Sequence, residues 1–111
     1  MNFSDAQREA LAFRDERDWR QFHNAKDLAI SISLEAAELL ECFQWSGADL
    51  NPSLSRERMR EELADVMMYC IYFADSVGID IPSALHDKIL RNAEHYPVDK
   101  AAGSAKKYTE L

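Results

Sequence analysis

Chain breakers are scarce in this sequence, and they fall in three places. Gly47 and Pro52 bracket one interruption, Gly78 and Pro82 a second, and Pro97 and Gly103 a third; the 111 residues hold no other glycine or proline. A many-stranded sheet needs far more turns than that. The stretches between breakers are long enough for helices, so the expected fold class is all-α. Four helical segments are predicted. The first runs from about Ser4, an N-cap with Gln7 completing a capping box, to about Trp19. "QFHNAK" then breaks the pattern, and Asn24 caps a second helix from Ala25 to Trp45. Ser55 caps a third, Arg56 to Val77, which Gly78 ends. Pro82 suits the first turn of a fourth, which is over by Pro97. The tail, "VDKAAGSAKKYTEL", shows no apolar period. The expected organisation is one helical domain over residues 1–97 followed by a tail over 98–111.

At about 100° per residue, Leu28, Ile32, Ala36, Leu39, Leu40 and Phe43 make one apolar stripe, bordered by Glu35 and Glu38. Met59, Leu63, Val66, Met67, Cys70 and Ala74 make another, bordered by Glu62 and Asp65, with Tyr69 one turn further along. A short connection makes these two helices antiparallel neighbours, which can bring their acidic borders together. Four carboxylates in a partly desolvated space repel one another unless a cation sits among them. All-oxygen ligation suits a hard ion, Mg²⁺ or alternatively Mn²⁺, and Mg²⁺ bridged to phosphate points to metal-assisted phosphate chemistry. A solvated acidic helix edge is the plain alternative. A di-iron bundle is excluded, because none of His23, His86 and His95 has a Glu three positions before it.

Bulk properties narrow the function classes. With a formal net charge of −7, the chain lacks the basic footprint of a duplex nucleic-acid binder, and its acidity argues against a membrane-surface role. The longest apolar run, Val66 to Ala74, is about half the length of a spanning helix. "MNFSDAQREALAF" has neither the basic start nor the apolar core of a signal peptide. Cys42 and Cys70 have no metal-ligand spacing and read as free thiols, so a cytoplasmic location is expected. The third helix is apolar or aromatic around much of its circumference (Val66, Met67, Tyr69, Cys70, Ile71, Tyr72, Phe73), which predicts burial on more than one side and hence a homo-oligomer.

The pattern E-x-x-E followed by E-x-x-D (Glu35, Glu38, Glu62, Asp65) resembles that of the MazG-like all-α nucleoside triphosphate pyrophosphohydrolases. "ERDWRQFH", "ECFQW" with "GADLN", "EELADVMMY", K-x-x-x-N and "YPVDKAAGSAKKYTEL" are similar to the dCTP pyrophosphatase branch in order and spacing. The resemblance implies a four-helix bundle assembled as a dimer or a dimer of dimers. It implies Mg²⁺ on Glu35, Glu38, Glu62 and Asp65, which would also be the catalytic residues. A nucleoside pocket would be lined by Trp19, Arg20, Gln21, Phe22, His23, Trp45 and Tyr69. Lys88 and Asn92, at i and i+4, would offer a cation and an amide to phosphate oxygens, and the tail would close over a site. The implied reaction cleaves a deoxynucleoside triphosphate, dCTP favoured, to monophosphate and pyrophosphate, in nucleotide-pool cleansing. The branch has a His nine residues before the tryptophan of "RDW", where this chain has Ala10. Two alternatives stay open: a related pyrophosphohydrolase acting on dUTP or a damaged nucleotide, and a non-catalytic helical interaction module.

Overall fold

The computed structural model describes residues 1–111 and contains helices and turns but no strand. Five α-helices follow in order: α1 (Phe3–Glu16), α2 (Ala25–Glu41), α3 (Arg56–Val77), α4 (Ile81–His95) and the single turn α5 (Val98–Ala101). Short 3-10 turns lie at Arg20–Phe22, Ser53–Ser55 and Tyr108–Glu110. The all-α expectation holds. The chain divides into two compact units, Met1–Gly78 and Ile79–Leu111.

In the first unit the helix boundaries follow from local chemistry. α1 starts earlier than expected, because Asn2 and Asp5 outcompete Ser4 and Gln7 for the capping box. The Asn2 side chain accepts from the Asp5 N–H at 2.8 Å, and the Asp5 carboxylate accepts from the Asn2 N–H at 3.3 Å. It also ends earlier, at Glu16, where Asp18 takes a left-handed φ of 53° and turns the chain toward Trp19. Asn24 caps α2 as expected, accepting from the Asp27 N–H at 2.9 Å. α2 stops at Glu41 rather than Trp45. Phe43 and Gln44 donate three residues back, to Leu40 and Glu41, so the last turn tightens and leaves the α-helical path. Ser55 stands at the start of α3 but its side chain makes no capping bond, whereas Gly78 ends α3 in the left-handed conformation, φ 71°.

α3 is the centre of this unit, packed on α2 along most of its length and on α1. Arg58 of α3 meets Glu41 of α2 at 2.9 Å, while Asp65 approaches Glu35. Rising numbers on α3 thus match falling numbers on α2, and the pair is antiparallel. The buried face of α3 keeps Ala74 of the expected stripe and adds Ile71 and Tyr72, while Leu63 and Met67 of the stripe are exposed. α1 claims the second side: the Tyr72 hydroxyl donates to the Ala10 carbonyl at 3.0 Å, and Arg14 donates to Asp75 at 2.7 Å. On α2, Leu28 is the deepest residue, but Leu40 of the expected stripe is exposed.

In the second unit Asp80 caps α4 by accepting from the Ser83 N–H at 3.0 Å, with Pro82 in the first turn. The tail is not featureless. Tyr108 packs on His95, ring centroids 4.2 Å apart, and edge-on to Tyr96 at 5.9 Å.

Candidate active site

Two i, i+3 acid pairs define the site. Antiparallel packing of α2 and α3 brings Glu35, Glu38, Glu62 and Asp65 together, with one oxygen from each lying within 4.8 Å of the others. Glu38 is exposed, while the other three are partly buried. One oxygen each of Glu35 and Glu62 is buried with no hydrogen-bond partner. Burial, then the neighbouring Glu38, raises the Glu35 carboxyl to about 7. The Glu62 carboxyl is raised by the same causes in the same order, with Arg58, 4.0 Å away, pulling it back. An orphaned buried carboxylate oxygen loses its hydration without a donor in return. A divalent ion supplies what is missing: opposite ligands of an octahedral Mg²⁺ lie about 4.2 Å apart, twice its bond length. The donor set, all oxygen and anionic, fits Mg²⁺ or Mn²⁺ and no soft metal.

A cleft of about 160 Å³ opens beside the acids. Glu35 and Asp65 form one side, with Trp19, His23 and Tyr69 among its other walls. Phe13, Met68 and Tyr72 complete it, and none of the three is among the expected pocket residues. A signal for two of them existed: Met68 and Tyr72 lie three and seven residues beyond Asp65 on α3, hence on the same helix face. Phe13 had no such signal, because its place depends on how α1 crosses α3. The aromatic walls are mutually braced. Tyr69 meets Tyr72 edge-on at 6.0 Å, His23 tilts over Tyr72 at 5.2 Å, and Phe13 meets Trp19 edge-on at 5.6 Å. Burial, and then Arg14, lowers the His23 pKa, which favours the neutral imidazole. Its Nδ1 is buried without a partner.

Beneath this wall Arg14 is the buried charge of the protein, only 2% exposed. It donates to Asp15 at 2.8 Å and to Asp75 at 2.7 Å, and its guanidinium lies 5.8 Å from the Tyr72 ring centre. Nothing in the sequence distinguishes it from Arg8, the other arginine of α1.

Other candidates of the first unit lie outside the cleft. Arg20, Gln21 and Phe22 do not line the cleft: Arg20 points to Asp75 at 4.0 Å, Gln21 donates back to Asp18, and Phe22 is exposed. Trp45, 87% exposed, borders a different hollow of about 370 Å³ with Asp49, Leu54 and Arg58. Lys88 and Asn92 are exposed on α4, in the second unit. Ala10 is buried and lines not the cleft but a neighbouring hollow.

Comparison with known proteins places the chain among relatives. Residues 30–111 match the MazG-like family. The chain is 38% identical to dCTP pyrophosphatase 1 of Mus musculus over 112 residues, covering 96% of this chain and 66% of that protein. It is 39% identical to dCTP pyrophosphatase 1 of Homo sapiens over 113 residues, with the same coverage. The chain thus spans just under two thirds of the length of these relatives. Among solved structures, a pyrophosphatase from Archaeoglobus fulgidus is similar with a TM-score of 0.65 and 40% identity, covering 84% of this chain and 87% of that one. No helix is long and apolar enough to cross a membrane. With four acids gathered on two antiparallel helices and this match over most of its length, the chain belongs to the MazG-like family.

Proposed function

We propose that this protein is a Mg²⁺-dependent hydrolase of deoxynucleoside triphosphates, dCTP favoured, releasing a nucleoside monophosphate and pyrophosphate in cytoplasmic nucleotide-pool cleansing. The observation that carries the reading is the acid cluster: four carboxylates within 4.8 Å, two with orphaned buried oxygens, opening onto an aromatic cleft. The names of the relatives support the reaction type. Glu35, Glu38, Glu62 and Asp65 would hold the ion, and Mn²⁺ would serve in its place. Bound there, the ion would offset charge on phosphate oxygens and acidify water.

The chain's own groups do the rest. Trp19 and Tyr69 offer flat faces to a base, worth about 1–3 kcal/mol for each stacked base. His23, held neutral, offers the cleft a hydrogen-bonding group without a charge. Glu35 and Asp65 belong both to the cluster and to the cleft wall, so they stand where a triphosphate would meet the base pocket. A carboxylate there, once ionised, can take a proton from attacking water. The roles implied for Lys88 and Asn92, with the tail over 98–111, are tested separately by Lys88→Ala, which should raise KM more than it lowers kcat.

The deciding experiment is pyrophosphate release from the four canonical dNTPs, dUTP and CTP, with Mg²⁺, with Mn²⁺ and with EDTA. Metal-dependent release, highest for dCTP, is the expected result. Release from dUTP alone moves the substrate assignment to dUTP. No release from any nucleotide refutes the reading and favours a non-catalytic helical module.

A further inference from the structure

A second hollow adjoins the cleft. It has a volume of about 250 Å³ and is lined by Met1, Ala6, Glu9, Ala10, Phe13 and Met68. Phe13 and Met68 also line the cleft of about 160 Å³, so these two side chains are the partition between the spaces. They are not equally free to move. The Arg17 guanidinium sits 3.6 Å from the Phe13 ring centre, and Trp19 braces the same ring edge-on at 5.6 Å. Met68 is only partly buried. Its side chain is unbranched with three rotatable bonds, and it moves between apolar surroundings at little cost. Ala10, which carries only a methyl group, lines the space beyond it, on backbone that Tyr72 pins at the Ala10 carbonyl.

From this arrangement, and resting on the function proposed above, we infer that Met68 is the movable partition that sets the largest base the cleft accepts. With Met68 toward Tyr69 the cleft fits a single-ring base. With Met68 swung toward Ala10 it gains depth for a two-ring base, so purine deoxynucleoside triphosphates are substrates as well. Ala10 then acts on specificity through Met68 and touches no nucleotide. It is a positioning residue.

The test is the ratio of kcat/KM for dATP to that for dCTP, in the parent, in Ala10→Leu and in Met68→Ile. Leu at position 10 fills the hollow and blocks the swing; Ile at position 68 is stiff at χ1. Each is expected to lower the ratio about tenfold or more. A crystal structure with a non-hydrolysable dATP analogue is expected to show the Met68 side chain displaced toward Ala10. An unchanged ratio in the folded variants, or Met68 unmoved beside a bound purine, would overturn the inference. If Ala10→Leu does not fold, Met68→Ile carries the same reading. Calorimetric Kd values for the dATP and dCTP analogues give the ratio without turnover. An inactive parent that still binds both, with the ratio falling in the variants, refutes hydrolysis and keeps the partition.

Discussion

The four acids matter individually, because each repels the other three. After burial itself, Glu38 is the largest influence raising both Glu35 and Glu62, ahead of Asp65. Glu38→Gln is therefore expected to lower activity about a hundredfold or more while melting in EDTA no lower than the parent. A clearly lower melting temperature would make Glu38 a structural residue. The same electrostatics sets a pH dependence. An acid whose pKa is raised on folding binds more protons folded than unfolded, so stability falls as pH rises between the two values. For Glu35 that window runs from 4.5 to about 7, and Glu62 adds to it in the same direction. His23, lowered from 6.5, opposes them just below that value. Asp15 and Asp80, lowered from 3.8, act only in more acidic solution. In EDTA, the parent's stability relative to Glu35→Gln should therefore decline from pH 4.5 to 7, as read by urea midpoints; a flat difference would contradict the raised Glu35. Arg14 is a different case. Removing it as Arg14→Met would leave Asp75, one third exposed, with only the more distant Arg20 at 4.0 Å, and should cost about 2 kcal/mol, less than a fully buried pair. These acids were legible in the sequence because their spacing repeats on two helices. Arg14 was not, since a buried arginine differs from a surface one only by the contacts of another helix.

Helices were legible where a backbone constraint ends them. The bounds of α3 follow from Pro52 before it and Gly78 after it, and those of α2 begin at Asn24. Where two pairs satisfy the same rule the boundary is ambiguous: Asn2 with Asp5 and Ser4 with Gln7 both fit a capping box, and the former lengthens α1 by two residues, about half a turn. Burial of α3 on more than one side holds at Ile71 and Tyr72, and Ala74 of the expected stripe is buried too, but Leu63 and Met67 of that stripe are exposed. With α1 and α2 both pressed on α3, a polar tyrosine and an aspartate turn inward, and Leu63 turns out. Gly78 gives an element-scale test. A Cβ there meets nothing within 4 Å, so Gly78→Ala would suffer from its φ of 71° alone. The loss should be about 1–2 kcal/mol, measured by urea unfolding; no loss would show that α3 can end another way.

At the scale of the whole molecule, the exposed apolar groups are the main unexplained quantity. Ile30, Leu34 and Leu40 along α2, and Leu63 and Met67 along α3, remain at the surface. A monomer in water gains nothing from such faces, and a second copy of the chain would cover them. Light scattering at micromolar concentration is expected to give at least a dimer; a stable monomer would refute it. Mg²⁺ with a non-hydrolysed nucleotide should raise the melting temperature, as any ligand of the folded state alone does. The two tryptophans meanwhile occupy unlike places, Trp19 in the wall of the cleft and Trp45 almost fully in water. The protein therefore carries its own optical probe. Replacing Trp45 by Phe would leave a single emitter against the base site, whose fluorescence should be quenched on nucleotide binding, while Trp19→Phe would leave one blind to it. Light emitted at one residue would then time the filling of the cleft, turnover by turnover, with no label added.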